Sequence, residues 1–136
     1  MATSCFTHYA RRRINGQVFG GRVWKPPERV WVGLSLGEAN EFGLVAEPCP
    51  TLGYRRVQVA NDALNWGESG NFRLNLLPVY FPAPLGNWGW VRSVFIADGP
   101  GLAGGQVIVM ADLDHAVSSR PGTRPLVIPA GGIRLG

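Results

Sequence analysis

The sequence predicts an all-β protein, and three properties of its composition and pattern support that fold class. The 136 residues include 19 glycines and 11 prolines, which supply the turns that many short strands require. Only 16% of the residues are charged, against about 25% in an average globular domain. Several segments alternate apolar and polar residues with a period of two, which is typical of half-buried strands. We therefore expect a jelly-roll-like β-sandwich of about 7–8 short antiparallel strands.

The chain is long enough for one domain with its own hydrophobic core. Its first residues have a weak helical pattern, which Thr3 or Ser4 is expected to cap and the Gly20–Gly21 pair to end. We therefore predict an N-terminal arm or short helix over residues 1–20 and a single β-sandwich domain over residues 21–136.

The first strand is predicted from Val30, where valine and leucine alternate with other residues as far as Leu36. The segment after this strand, residues 37–53, is predicted to be a long loop. A second loop is expected around Trp66, where turn-forming residues dominate. In the strand that opens at Trp90, this tryptophan shares the face of Val94, which predicts a core position for it. The loops are expected at 37–53 and 61–71, and the further strands at 54–60, 72–82, 90–98, 106–114 and two short segments near the C-terminus.

The net charge of +4 is carried almost entirely by arginine, and the only dense basic run is Arg11, Arg12 and Arg13. The run is explained either by a solvated helix face or by contacts with nucleic acid or an acidic protein surface. No nucleic-acid-binding signature accompanies it, so nucleic-acid binding is not expected. Cys5 and Cys49 are too few and too far apart for a disulfide framework or a zinc motif, and we expect two free thiols. No signal peptide or membrane span is expected.

Enzymatic chemistry is not expected, because no set of converging catalytic residues can be assembled. The best candidate is the sequence "DLDH", in which Asp112 and Asp114 share one strand face while His115 points to the other. A metal site there needs a further ligand, and the chain has only one other histidine. We therefore predict no catalytic, cofactor-binding or metal-binding residues and no cofactor.

Five tryptophans are many for a chain of this length, and they can fill a core or provide contact surfaces. Trp24 lies beside two prolines outside any strong strand, so it is the favoured contact residue. A carbohydrate site would need an exposed aromatic ring flanked by Asp or Asn. Two places have that pattern: Trp66 with Asn65 and Asn71, and Trp88 with Asn87.

The order of four motifs is more specific than any one of them. They are "GGRVWKPPERVWVGLSL" from residue 20, "EPCPTLGYRRVQVA" from residue 47, "VYFPAPLGNWGWVRSVFIAD" from residue 79 and "LVIPAGGIRLG" from residue 126. This order resembles a family of small tailed-bacteriophage virion proteins labelled phage tail fibre protein. The resemblance runs from about residue 15 to the C-terminus. It implies that the third motif forms a strand–turn–strand corner rather than a sugar cleft, with Phe81, Pro82, Gly86, Trp88 and Gly89 as its structural residues.

The resemblance implies a non-enzymatic structural protein on the surface of a virion that is assembled in the host cytoplasm. Other virion proteins are then its partners, and a homo-oligomer is expected. A chain this short, without heptads or repeats, does not form a long fibre alone. We therefore expect a capsid decoration (cement) protein that bridges major capsid protein subunits, with a tail fibre or tail-tip subunit that binds a host receptor or carbohydrate as the alternative. The partner-contact candidates lie in two arms, residues 3–19 and 37–53, and beside the proline pair: Arg11, Arg12, Arg13, Trp24, Glu38, Glu41 and Phe42.

Overall fold

The computed structural model describes residues 4–101 and 105–135, and in them antiparallel strands predominate over a single α-helix. The all-β prediction is confirmed. The helix is α1 (His8–Phe19), and one 3-10 turn spans Pro50–Leu52. The strands of the described residues are β1 (Ser4–Phe6), β2 (Arg29–Ser35), β3 (Val57–Ala60), β4 (Trp66–Ser69), β5 (Phe72–Asn75), β6 (Val79–Tyr80), β7 (Gly89–Ala97), β8 (Val107–Ser119), β9 (Val127–Ile128) and β10 (Arg134–Leu135).

The strands form one large sheet and two small ones. The main sheet has the order β1-β8-β7-β2-β3, and every neighbouring pair is antiparallel. The small sheets have the orders β10-β5-β4 and β6-β9 and are also antiparallel. Long-range pairing of this kind brings the first strand beside the eighth, so segments far apart in sequence share one surface.

The larger hydrophobic core lies between the main sheet and the small sheets. Val32 and Leu34 of β2 are fully buried there, and Val79 and Ile128 of the β6–β9 pair face them from the other layer. The alternation of β2 therefore points its apolar side chains into a sandwich core, as its period of two predicts. A second, smaller cluster lies on the opposite face of the main sheet and consists of Phe95, Ala97, Val107 and Met110. Cys5 and the loop residues Ala39 and Val45 pack against it.

The prediction that Trp90 lies in the core is wrong, because β7 contains a register shift. The pairing between β7 and β8 shifts between Val91 and Ser93. Such an irregularity changes the alternation of a strand, so residues on its two sides no longer share a face by simple parity. Val91 is fully buried, whereas Trp90 is 61% exposed.

The helix begins later than the sequence suggests. Thr7 is the N-cap residue, and its hydroxyl accepts a hydrogen bond from the Ala10 N–H at 3.3 Å and donates one to the Val107 carbonyl at 2.6 Å. Ser4 lies in β1 instead of capping the helix, and Thr3 lies outside the described residues. Thr7 therefore connects the helix start directly to β8.

Two further boundaries differ from the prediction. The segment expected as a loop around Trp66 contains β4, which pairs with β5 in a hairpin whose turn includes Gly70 at φ +60°. The strand expected to end at Asp114 continues to Ser119, because its last residues pair with the start of β7. In both cases pairing with a neighbouring strand overrides the local turn signals.

The N-terminal segment is joined to the main sheet by β1, in which Ser4 pairs with Ala111. Helix α1 follows after Thr7. Both cysteines are free, as Cys5 lies in β1 and Cys49 precedes the 3-10 turn. The division of the chain near residue 20 into an arm and a sandwich domain stays a prediction.

Candidate functional site

The two candidate arms contact each other on one side of the main sheet. Glu41, in the loop after β2, accepts the His8 backbone N–H on its carbonyl at 2.7 Å. Its carboxylate lies 3.2 Å from the Arg11 guanidinium, and the His8 ring meets Phe42 edge-on with their centroids 5.1 Å apart. The ion pair is about half exposed on both sides, so it stabilises the contact only modestly. We call this layer the helix–loop surface: α1 together with residues 37–48.

The loop of the helix–loop surface is held in place by the main sheet. The Ala39 N–H donates to the Asp112 carboxylate at 2.8 Å, and Ser93 donates its hydroxyl proton to the Gly37 carbonyl at 2.7 Å. Asn40 accepts the N–H groups of Phe42 and Leu44 on its side-chain oxygen. These bonds fix the loop while leaving Phe42 73% exposed, which presents an apolar ring to solvent.

The remaining arm residues are exposed on the same layer. Arg12 lies on the solvent side of α1, and the Arg13 guanidinium carbon lies 5.4 Å from the centre of the Tyr9 ring. Glu38 is exposed in the loop. Six of the seven partner-contact candidates thus belong to the helix–loop surface. Trp24 does not belong to this group, since it lines a cleft described below.

The five corner residues surround the contact between the 3-10 turn and the segment before β7. The Leu52 carbonyl accepts hydrogen bonds from the Trp88 indole N–H at 2.7 Å and from the Leu85 N–H at 2.9 Å. Trp88 is 2% exposed and packs edge-on against Tyr54 with centroids 5.4 Å apart. Because both the ring and the N–H of Trp88 are occupied, neither is presented to a ligand.

The environments of the other four corner residues also indicate structural roles. Phe81 is buried, and Pro82 beside it is half-buried. A Cβ on Gly86 would meet the Leu52 side chain, and Gly89 has φ +93°, which favours glycine. Asn87 accepts the Gly89 N–H on its side-chain oxygen at 2.9 Å, so this amide serves the turn.

A cleft of about 420 Å³ opens between the main sheet and the β4–β5 hairpin. Its floor is formed by apolar side chains of β2, β7 and β8, among them Val30, Ile96 and Val109. Trp24, with Pro26 and Pro27, and Trp66 of β4 also line the cleft. Asn61, Asp62 and Arg73 contribute the polar groups of the lining. The volume lies in the range of about 300–1,000 Å³ that small-ligand sites occupy.

Trp66 has an unusual polar environment in this cleft. Its indole nitrogen is buried and has no hydrogen-bond acceptor within the described ranges 4–101 and 105–135. Buried donors are normally paired, so this one is an exception among the described residues. The sequence indicated Trp66 as an aromatic ring flanked by asparagines, but the local sequence did not predict that it lines the same cleft as Trp24.

A partly buried ion pair that the sequence did not reveal lies beside the loop. Arg56 donates two hydrogen bonds to the Glu47 carboxylate, at 2.8 and 3.1 Å, and a third to the Gly99 carbonyl at 2.9 Å. Tyr54 donates its hydroxyl proton to the same carboxylate at 2.8 Å and accepts the Leu34 N–H at 3.0 Å. Burial raises the pKa of Tyr54 well above its ordinary value. All the polar atoms of this network are paired, which indicates a structural role.

The "DLDH" sequence does not assemble a site. Asp112 is used by the loop contact with Ala39, and Asp114 and His115 are exposed on β8. Within the described part of the chain, no three His, Cys, Asp or Glu side chains are grouped to hold a metal ion. Nor does any described helix have the length and apolarity needed to cross a membrane.

Comparison with known proteins gives one family. A search of curated proteins finds no match. Residues 5–136 match the model of the family described as podophage GP4 fiber I protein gp80, which covers nearly the whole chain, including the helix–loop surface, the corner and the cleft. The chain therefore belongs to this family of phage fibre proteins, and it is a structural protein of the virion.

Proposed function

We propose that this chain is a small, non-enzymatic subunit of the tail fibre or tail tip, and that it takes part in binding the host surface. The family description as a fibre protein supports a tail position better than the capsid decoration role expected from the sequence. The observation that carries the binding role is the cleft, since two tryptophans and three polar residues line a concave surface that nothing in the described chain fills.

The helix–loop surface supplies the second contact that a fibre subunit needs, which is attachment to the rest of the particle. Exposed Phe42 and the arginines of α1 combine an apolar ring with positive charge, and both are enriched where proteins bind one another. We infer that this surface binds a neighbouring virion protein in a complex assembled in the host cytoplasm, with several copies of the chain arranged about a symmetry axis.

Immunogold electron microscopy of intact particles, with an antibody against this chain, tests the position. Gold confined to the tail is the expected result. Gold distributed over the head would restore the decoration role and overturn the tail proposal. Particles of a mutant that lacks the gene are the control for antibody specificity, and absence of gold on all particles would contradict a surface position. Native mass spectrometry of the purified chain measures the number of copies in the oligomer.

A further inference from the structure

The cleft between Trp24 and Trp66 has the composition of a site for a sugar ring. Two indole groups line it, and the faces of indole rings carry partial negative charge. The C–H groups on one face of a pyranose carry partial positive charge and stack on such a surface. Its hydroxyl groups need hydrogen-bond partners, and the lining includes Asp62 and Asn61.

We propose that this cleft binds a short saccharide of uncharged pyranose rings, presented by a bacterial surface polysaccharide. The inference rests on the proposed function in one respect, since a host-binding role explains why a virion protein would carry such a site. The ligand class itself follows from the residues of the cleft.

Asp62 is prepared to accept sugar hydroxyls. Its Oδ1 atom accepts three hydrogen bonds, from the N–H groups of Leu64 and Asn65 at 3.1 Å each and from the Asn65 amide at 2.8 Å. These bonds fix the carboxylate, whereas Oδ2 receives no hydrogen bond from the part of the chain that the structure describes. An oriented carboxylate oxygen with free acceptor sites binds hydroxyl donors strongly and loses little entropy on binding.

Asn61 joins two segments of the chain that line the cleft. Its side-chain amide donates to the Pro27 carbonyl at 2.9 Å, and its backbone N–H donates to the Glu28 carbonyl at 2.9 Å. The segment that carries Trp24 is therefore attached to the turn that carries Asp62. The segment of Trp24 and the Asp62 carboxylate are therefore held in position before a ligand binds, which lowers the entropy lost on binding.

The charges of the cleft favour an uncharged ligand. Asp62 repels anionic sugars, and Arg73, the only cation among the described residues of the lining, lies 3.4 Å from Glu68 as its partner. The side chain of Arg73 is 60% exposed, and its guanidinium supplies hydrogen-bond donors to the lining. A sugar offers both donors and acceptors, so it matches a lining that contains both.

Binding of purified polysaccharide tests the inference. The probe is the surface polysaccharide isolated from the bacterium that the particle infects, together with its short oligosaccharide fragments, measured by isothermal titration calorimetry. Trp24→Ala removes one stacking surface. Asp62→Asn keeps the Oδ1 acceptor of the turn while removing the charge. Trp90→Ala is the matched control, because this tryptophan is 61% exposed and does not line the cleft.

We expect wild type and Trp90→Ala to bind equally, and Trp24→Ala and Asp62→Asn each to weaken binding about tenfold or more. Circular dichroism checks that all variants are folded. Equal binding by Trp24→Ala, loss of binding by Trp90→Ala alone, or capture of a host surface protein without any saccharide binding would each overturn the proposal.

The saccharide-binding measurement and the immunogold measurement test the two proposals independently. Gold on the tail with no saccharide binding by the folded protein contradicts the sugar site and leaves the tail proposal intact. Saccharide binding that requires Trp24, with gold on the head, supports the sugar site and contradicts the tail proposal.

Discussion

The Phe95 ring lies directly over Gly33, its cross-strand partner in the register of β2 and β7. A Cβ at position 33 would overlap the ring, so only glycine leaves room for this packing. The Arg56 guanidinium carbon lies 4.9 Å from the centre of the same ring. Gly33 therefore allows an aromatic residue to lie against the sheet beside the partly buried Arg56–Glu47 ion pair.

Gly33→Ala is expected to lower the free energy of unfolding by about 1–3 kcal/mol, because the added methyl group forces Phe95 from its position. Chemical denaturation measures the change. Gly37→Ala is the control, since its added Cβ would meet nothing closer than Ser35 Oγ at 3.8 Å. The double variant with Phe95→Leu should recover part of the loss. An unchanged stability of Gly33→Ala would show that the ring moves freely.

Arg56→Ala is expected to lower the free energy of unfolding by about 1.5–3 kcal/mol, because it leaves the partly buried Glu47 carboxylate without its cation. The Arg56 side chain is only 7% exposed. Lys25→Ala is the control from an exposed ion pair and should change stability by less than about 0.5 kcal/mol. A double-mutant cycle with Glu47→Gln measures the coupling. Additive losses would contradict a coupled pair.

Stability is expected to fall in alkaline solution through Tyr54. Burial raises the pKa of its hydroxyl above the ordinary value of 10.0, with the Glu47 carboxylate adding to the effect. A raised pKa means that the folded state keeps a proton that the unfolded state loses. The contribution is therefore complete below pH 10 and is lost above it, at about 1.4 kcal/mol per pH unit.

Thermal unfolding between pH 8 and pH 11.5 tests this dependence. Tyr54→Phe should be less stable at neutral pH, because the Leu34 N–H loses its acceptor, but its midpoint should fall less steeply above pH 10. Parallel curves for the two proteins would show that Tyr54 does not cause the alkaline loss.

Arg12→Ala/Arg13→Ala is expected to reduce incorporation of the chain into particles about tenfold, because each arginine is expected to contribute about 0.7 kcal/mol to the contact with a virion protein. Quantitative mass spectrometry of purified particles measures the copy number. Arg120→Ala/Arg124→Ala removes the same charge from exposed positions away from the helix–loop surface and serves as the control. Equal losses in both variants would indicate a general effect of charge.

Deletion of residues 1–19 tests the predicted division of the chain. We expect the shortened protein to fold, since the larger core contains none of these residues. Loss of β1 uncovers part of the cluster around Met110, so stability should fall by at least about 2 kcal/mol. Cooperative unfolding followed by circular dichroism is the measurement. Failure to fold would show that the N-terminal segment belongs to the sandwich domain.

Individual strands were predictable where burial on one face imposes a period of two, as in β2. Trp90 was not predictable, because the register shift in β7 depends on pairing with β8 and leaves no local signal. The cleft was not predictable either. Trp24 and Trp66 are far apart in sequence, and only the packing of the β4–β5 hairpin near the main sheet brings them into one lining.

The sequence by itself determined the all-β class, the positions of the main strands and the family, because alternation, turn residues and ordered motifs are local properties of the chain. Only the tertiary structure decided which tryptophans are available to a ligand. Trp88 is buried with its N–H bonded to Leu52, Trp90 is exposed, and Trp24 shares a cleft with Trp66. Exposure depends on what packs against a side chain from distant segments, and pairing between strands sets that packing.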